Sequence, residues 1–176
     1  MFVLYWKSYR FDVILHGKNI TQHIDGAMRS WWTEYKKYGN TDPKNRYFSR
    51  LQYYGWANMA KGKSTRIGCS YSSCDGQQRA LFSCIYNERA HCENQPIYEA
   101  GKPCEIDDDC TTFPRSKCIQ SLGLCQVSSK LIDRETNTMC AGLNTTMSDD
   151  TRIFALDQHN FYRQIINFFQ WNCHLD

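Results

Sequence analysis

Several things that would settle a function quickly are missing from this sequence. No stretch approaches the roughly 18 consecutive apolar residues of a membrane-crossing helix, so no membrane span is expected. Lysine and arginine form no tract, and a formal charge of +3 is too small and too scattered to indicate nucleic acid. No C-x2-C pair occurs, which removes the usual spacing of a structural zinc site. No G-x-S-x-G or comparable nucleophile motif is found, so no catalytic residue is nominated. The start also lacks a leader. A secreted precursor opens with a charged region, about 7 to 15 apolar residues and a small-residue cleavage site. Here Met1-Phe2-Val3-Leu4-Tyr5-Trp6 runs straight into Lys7, with no small-x-small site after it.

What the chain has in abundance is cysteine. Ten cysteines in 176 residues, together with Asn-x-Thr sequons at Asn19 and Asn144, fit an oxidising, extracellular location. The missing leader conflicts with that location. The expectation is therefore a fragment, an alternative transcript or an imperfect gene model of a longer secreted protein.

The stretch from 66 to 104 organises the rest. Cys69 closes one apolar run, Cys84 sits in the next, and the turn-forming Asp75-Gly76 lies between them. This predicts a β-hairpin, and neighbouring antiparallel strands supply the separation a disulfide needs, so Cys69 is expected to pair with Cys84. Upstream, apolar residues at 24, 27, 28, 31, 32 and 35 are spaced by three and four. They predict an amphipathic helix with Asp25 as N-cap, Gly39 as its stop, and Trp31 and Trp32 mostly buried. A polar loop from Asn40 to Asn45 follows, and Tyr47 to Ala60 is rich enough in aromatics for a second short helix.

Downstream the composition changes. Residues 104–125 hold Cys104, Cys110, Cys118 and Cys125 among acids and turn-formers, with few apolar residues for a core. Such a segment keeps its shape through cross-links. Three pairings are open, with the crossed one, Cys104 to Cys118 and Cys110 to Cys125, preferred. Residues 126–146 look like linker. From Met147 to about 170 a helix is expected, with Ser148 as N-cap and acids in its first turn. Ile153, Phe154, Leu156 and Phe161 form one broad apolar stripe with Ile165 beyond it, and that stripe needs a surface to bury against.

Taken together, Gly17-Lys18-Asn19-Ile20, Ser30-Trp31-Trp32-x-Glu34, Thr65-Arg66-Ile67-Gly68-Cys69, Cys84-x-Tyr86 and Ile97-Tyr98-x-x-Gly101-x-Pro103-Cys104 resemble the CAP superfamily of cysteine-rich secretory, antigen 5 and pathogenesis-related proteins. The resemblance is to the activation-associated secreted, or venom-allergen-like, proteins of parasitic nematodes. It implies an α+β fold: an incomplete three-layer α-β-α sandwich over 17–103, a disulfide-rich hinge over 104–125, and a C-terminal helix. Asp157-Gln158-His159-Asn160-Phe161-Tyr162-Arg163 resembles the opening helix of a second module. Because 17–103 lacks its own opening helix, the later one is expected to complete the sandwich, within the chain or as a helix-swapped dimer.

Many members of this family carry two His and two Glu in a cleft, sometimes with a divalent metal. In this chain Glu34 matches, Lys18 replaces the first Glu, Gly55 stands at one His, and His16 is the remaining candidate for the other. One carboxylate and one imidazole do not make a two-histidine site, and a lysine repels a cation, so no metal or other cofactor is expected. His159 is read as a packing residue, and Cys74 as an unpaired thiol because its usual partner lies outside the matched stretch. Asn19 falls in a motif the family tends to bury, which favours Asn144 as the glycan acceptor. The resemblance implies a non-enzymatic protein that binds a host protein or receptor. A sterol or fatty-acid carrier is the alternative, which an aromatic content of 14% permits without demanding. A metal-dependent, protease-like enzyme ranks third.

Overall fold

In the computed structural model, residues 13–14, 19–38, 42–74, 79–127 and 147–172 are described, with backbone alone at 13–14, 73–74, 79, 149 and 166–172. Gly39, Asp75-Gly76, the 128–146 linker and Asn144 lie outside the described residues.

The hairpin forms as expected. Strands β2 (Ile67–Cys74) and β3 (Arg79–Tyr86) pair antiparallel with Cys69 opposite Cys84, and the two are disulfide-bonded. A short strand β1 (Val13–Ile14) joins the other edge of β3 against Ala80 and Arg79, giving the order β1-β3-β2. The sheet therefore reaches upstream of residue 17. Alternation sets its two faces. Ile67, Cys69 and Tyr71, with Phe82, Cys84 and Tyr86, pack into the main core. Gly68, Ser70, Ser72 and Ile85 point the other way and are exposed.

Helix α1 (Ile20–Tyr38) lies on the core face. It starts five residues before Asp25 would have capped it. Asn19 is the cap: its Oδ1 accepts the Gln22 N–H at 3.0 Å while its own N–H donates to Gln22 Oε1 at 3.2 Å, a reciprocal capping box. Asp25 instead sits inside the helix and pairs with Arg29 at 3.1 Å. Ile24, Ala27, Met28 and Trp31 are buried, Trp31 stacks on Phe82, and Trp32 is half-buried against Tyr162.

The aromatic-rich stretch becomes a 3-10 turn (Ser49–Leu51) and then helix α2 (Tyr54–Ala60). Trp56, Ala57 and Ala60 build a second core with Tyr47, Tyr53, Ala90 and Ile97. The 87–98 segment is tied to it through the Tyr47 to Gln95 and Ile97 to Asn45 backbone bonds. The cysteine-rich segment adopts the crossed pairing, Cys104–Cys118 and Cys110–Cys125, around strands β4 (Lys117–Ile119) and β5 (Leu124–Gln126).

Helix α3 (Asp149–Asn172) opens where expected, with Ser148 Oγ accepting the Thr151 N–H at 3.2 Å. It packs on the same side of the sheet as α1 and α2, within its own chain. Its buried face differs from the predicted stripe. Met147, Thr151, Ala155, His159 and Tyr162 face inward. Ile153, Leu156 and Phe161 are 57%, 42% and 53% exposed, while Phe154 and Ile165 are half-buried at the edge of the core. The seat explains the rotation: Trp32, Tyr86 and Met28 already fill it, so small or polar side chains such as Ala155 and Thr151 fit there better than Ile153 or Phe161.

Candidate functional site

Two of the predicted cleft residues, Glu34 and Gly55, are brought into contact, and His16 and Lys18 lie outside the described residues. Glu34 comes from the last turns of α1, where that helix passes the start of α2. Its Oε2 accepts the Trp56 N–H at 3.0 Å, and the Gly55 N–H also bonds the carboxyl group. These are the first-turn N–H groups of α2, which its own preceding residue, Tyr53, does not cap with a side chain. Glu34 is thus a helix cap supplied from a neighbouring helix, placed where a helix terminus favours negative charge. Burial raises its carboxyl above the ordinary range, and the two N–H bonds pull less strongly the other way.

Gly55 is as closely fitted. A Cβ at this position would lie 2.9 Å from Trp31 Cβ and Cγ and 3.0 Å from Glu34 Oε1. A side chain at position 55 would therefore have no room in this packing unless Trp31 or Glu34 shifted. With its one matching carboxylate bound to backbone N–H groups, the pair does not fit a divalent cation. Among the described residues the only cluster of potential metal ligands is Cys104, Cys110 and Cys125, whose sulfurs are tied up in the two bridges.

A second polar constellation, which spacing alone did not reveal, fixes α3. Arg163 donates from Nη1 to Ser64 O at 3.0 Å and from Nη2 to Lys61 O at 3.2 Å and Gly62 O at 3.4 Å. The five-donor fork of arginine suits such convergent carbonyls. One turn earlier His159 is 2% exposed and lies 5.3 Å, ring to ring, from Tyr86. Burial first, and then the Arg163 charge, push its imidazole down to about 3. Burial likewise pushes the Tyr86 hydroxyl up. His159 is thus packed in the seat of α3 against Tyr86. The sequence signal was the Arg one turn after the His, but its carbonyl acceptors sit about a hundred residues away in the chain.

His23 of α1 holds Tyr71 of β2 through Nδ1 at 3.0 Å to the hydroxyl. Cys92 is an exposed free thiol that the sequence reading did not single out, and the Cys74 sulfur lies outside the described side chains. On the knot, Glu105, Ile106, Asp107, Asp108, Cys118 and Gln120 line an open depression. Asp107 is held to Lys117 and to the Cys118 N–H, and Asp109 bonds the Glu105 and Ile106 N–H groups, so these acids brace the knot.

The hairpin under a helical layer, followed by the crossed knot, makes an α+β fold. Residues 2–86, just under half of the chain, match the model of the cysteine-rich secretory protein family, CAP. The chain is similar to "Ancylostoma secreted protein" of Ancylostoma caninum, at 35% identity over 143 residues, covering 81% of this chain and 32% of that protein. It is also similar to "Hookworm platelet inhibitor 1" of the same organism, at 32% identity over 84 residues, covering 47% of this chain and 39% of that one. The chain thus spans about a third of the length of the curated relatives it matches. The crystal structure of Na-ASP-1 matches with a TM-score of 0.59 at 28% identity, covering 69% of this chain and 29% of that one. The structure of BmVAL-1 matches with a TM-score of 0.59 at 27% identity, covering 69% and 61%.

Proposed function

We propose that this is a secreted, non-enzymatic CAP-class protein that works by presenting surface to a host protein or receptor. The observation that carries the reading is the state of the cleft: Glu34 caps α2 and Gly55 admits no side chain, so the position where relatives gather metal-binding groups is structural here. Apolar side chains stand outward elsewhere, with Ile153, Leu156 and Phe161 on α3 and Ile106 on the knot. Ile153 and Leu156 lie one turn apart on α3, where they would offer a partner an apolar foothold. The similarity to a secreted protein and to a platelet inhibitor supports an extracellular site of action and a cell-surface target.

The test measures saturable binding of the labelled chain to washed platelets and to leukocytes, with Leu156→Asp and Phe161→Asp as comparisons. Saturable binding that weakens at least tenfold in the variants, with unchanged circular dichroism, is the expected result. Saturable uptake of tritiated cholesterol or palmitate without cell binding would replace the reading with a lipid carrier. Stoichiometric zinc uptake abolished by Glu34→Gln would restore the metal site.

A further inference from the structure

We propose that Asn19 carries an N-linked glycan while also capping α1, the two roles falling on different atoms of one side chain. The proposal rests on the extracellular reading above. Asn19-Ile20-Thr21 is an acceptor sequon at the first turn of the helix. Both hydrogen bonds that the side chain makes among the described residues arrive at its oxygen. Oδ1 accepts the Gln22 N–H at 3.0 Å and the Thr21 hydroxyl at 2.7 Å. Nδ2 makes none there, and the residue is exposed rather than buried as the family motif implied.

Glycan transfer uses the other atom. The amide nitrogen bonds C1 of a lipid-pyrophosphate-linked oligosaccharide, the C1–O bond to the pyrophosphate breaks, and the nitrogen gives up one proton. The product is a secondary amide whose carbonyl oxygen is unchanged as an acceptor. The capping box therefore survives modification, and an exposed helix start has room for a bulky, solvated sugar. A glycan on an asparagine that capped through Nδ2, or that lay in the core, would unfold what it decorates.

The full chain is expressed behind a heterologous leader, and glycopeptides from the whole luminal pool are released by peptide N-glycosidase F in heavy-oxygen water. Transfer precedes folding, so retained protein reports as well as secreted protein. The expected result is an isotope mark at Asn19. Thr21→Ala should run faster by one glycan-sized step and Thr21→Ser should not. Enzymatic release leaves aspartate, itself a good cap, and should not lower the melting midpoint, whereas Asn19→Gln should lower it. An unmarked Asn19 in luminal protein whose Cys69–Cys84 bridge is oxidised overturns the proposal. The extracellular reading fails separately, if protein from its natural source is found inside cells with Cys69 and Cys84 reduced.

Discussion

The module over residues 20–98 and the knot over 104–126 are neighbours in one chain held by opposite means. In the module, Trp56, Tyr53, Phe82, Ile24, Met28, Met59 and Ile97 are fully buried, each contributing roughly 1.5–3 kcal/mol. The knot buries no large apolar side chain: its buried residues are Cys104, Cys110 and Ser116, and Ile106 is exposed. Two crossed disulfides and a three-residue ladder hold it instead. Where a segment is too short of apolar mass to close a core, cross-linking narrows its unfolded ensemble and so fixes its shape. Stability in the module should track packing, and in the knot it should track redox state.

The largest effect that would break this contrast belongs to the module. Trp56→Ala should cost about 3–5 kcal/mol and lower the module's denaturation midpoint while leaving amide protection in the β4–β5 ladder unchanged. Replacing Cys110 and Cys125 together by serine should cost the knot about 2–4 kcal/mol. Hydrogen exchange at Cys118 to Leu124 would then accelerate with no change in the module's midpoint, and a joint loss would show that the two regions fold as one.

The α3 seat sharpens the comparison through pH. An unfolded histidine takes a proton near pH 6.5, whereas buried His159 holds out to about 3. As pH falls from about 6.5 the unfolded chain gains a proton that the docked helix refuses, so docking weakens by up to about 1.4 kcal/mol per pH unit, down to about pH 3. His159→Phe should flatten that dependence in equilibrium unfolding between about pH 4.5 and 6.5. The smallest of these effects is Gly55→Ala. Overpacking against Trp31 should cost about 1–3 kcal/mol, visible as a lower midpoint and a shifted tryptophan emission.

Legibility in the sequence followed how local each cause was. The hairpin and its Cys69–Cys84 bridge were readable because two apolar runs and a turn signal lie side by side. The first and last helices were readable from periodicity, and Ser148 as a cap from its position ahead of the run. The start of α1 was misplaced because the cap is an Asn-Gln pair at 19 and 22, while the more conspicuous Asp25 belongs to an ion pair with Arg29. Which side of α3 faces inward could not be read from α3 at all. That depends on rings from Trp32 and Tyr86, more than sixty positions away in sequence, already occupying the seat. The capping role of Glu34 depends in the same way on where α1 crosses α2.

The Arg163 bonds to Lys61, Gly62 and Ser64 also set a timetable. A ribosome must add about a hundred residues between making those carbonyls and making the guanidinium that ties them, several seconds or more at about 5–20 residues per second. Through that interval Trp32, Met28 and Tyr86 wait without their lid, so the nascent chain passes through a sticky stage that chaperones are suited to shield.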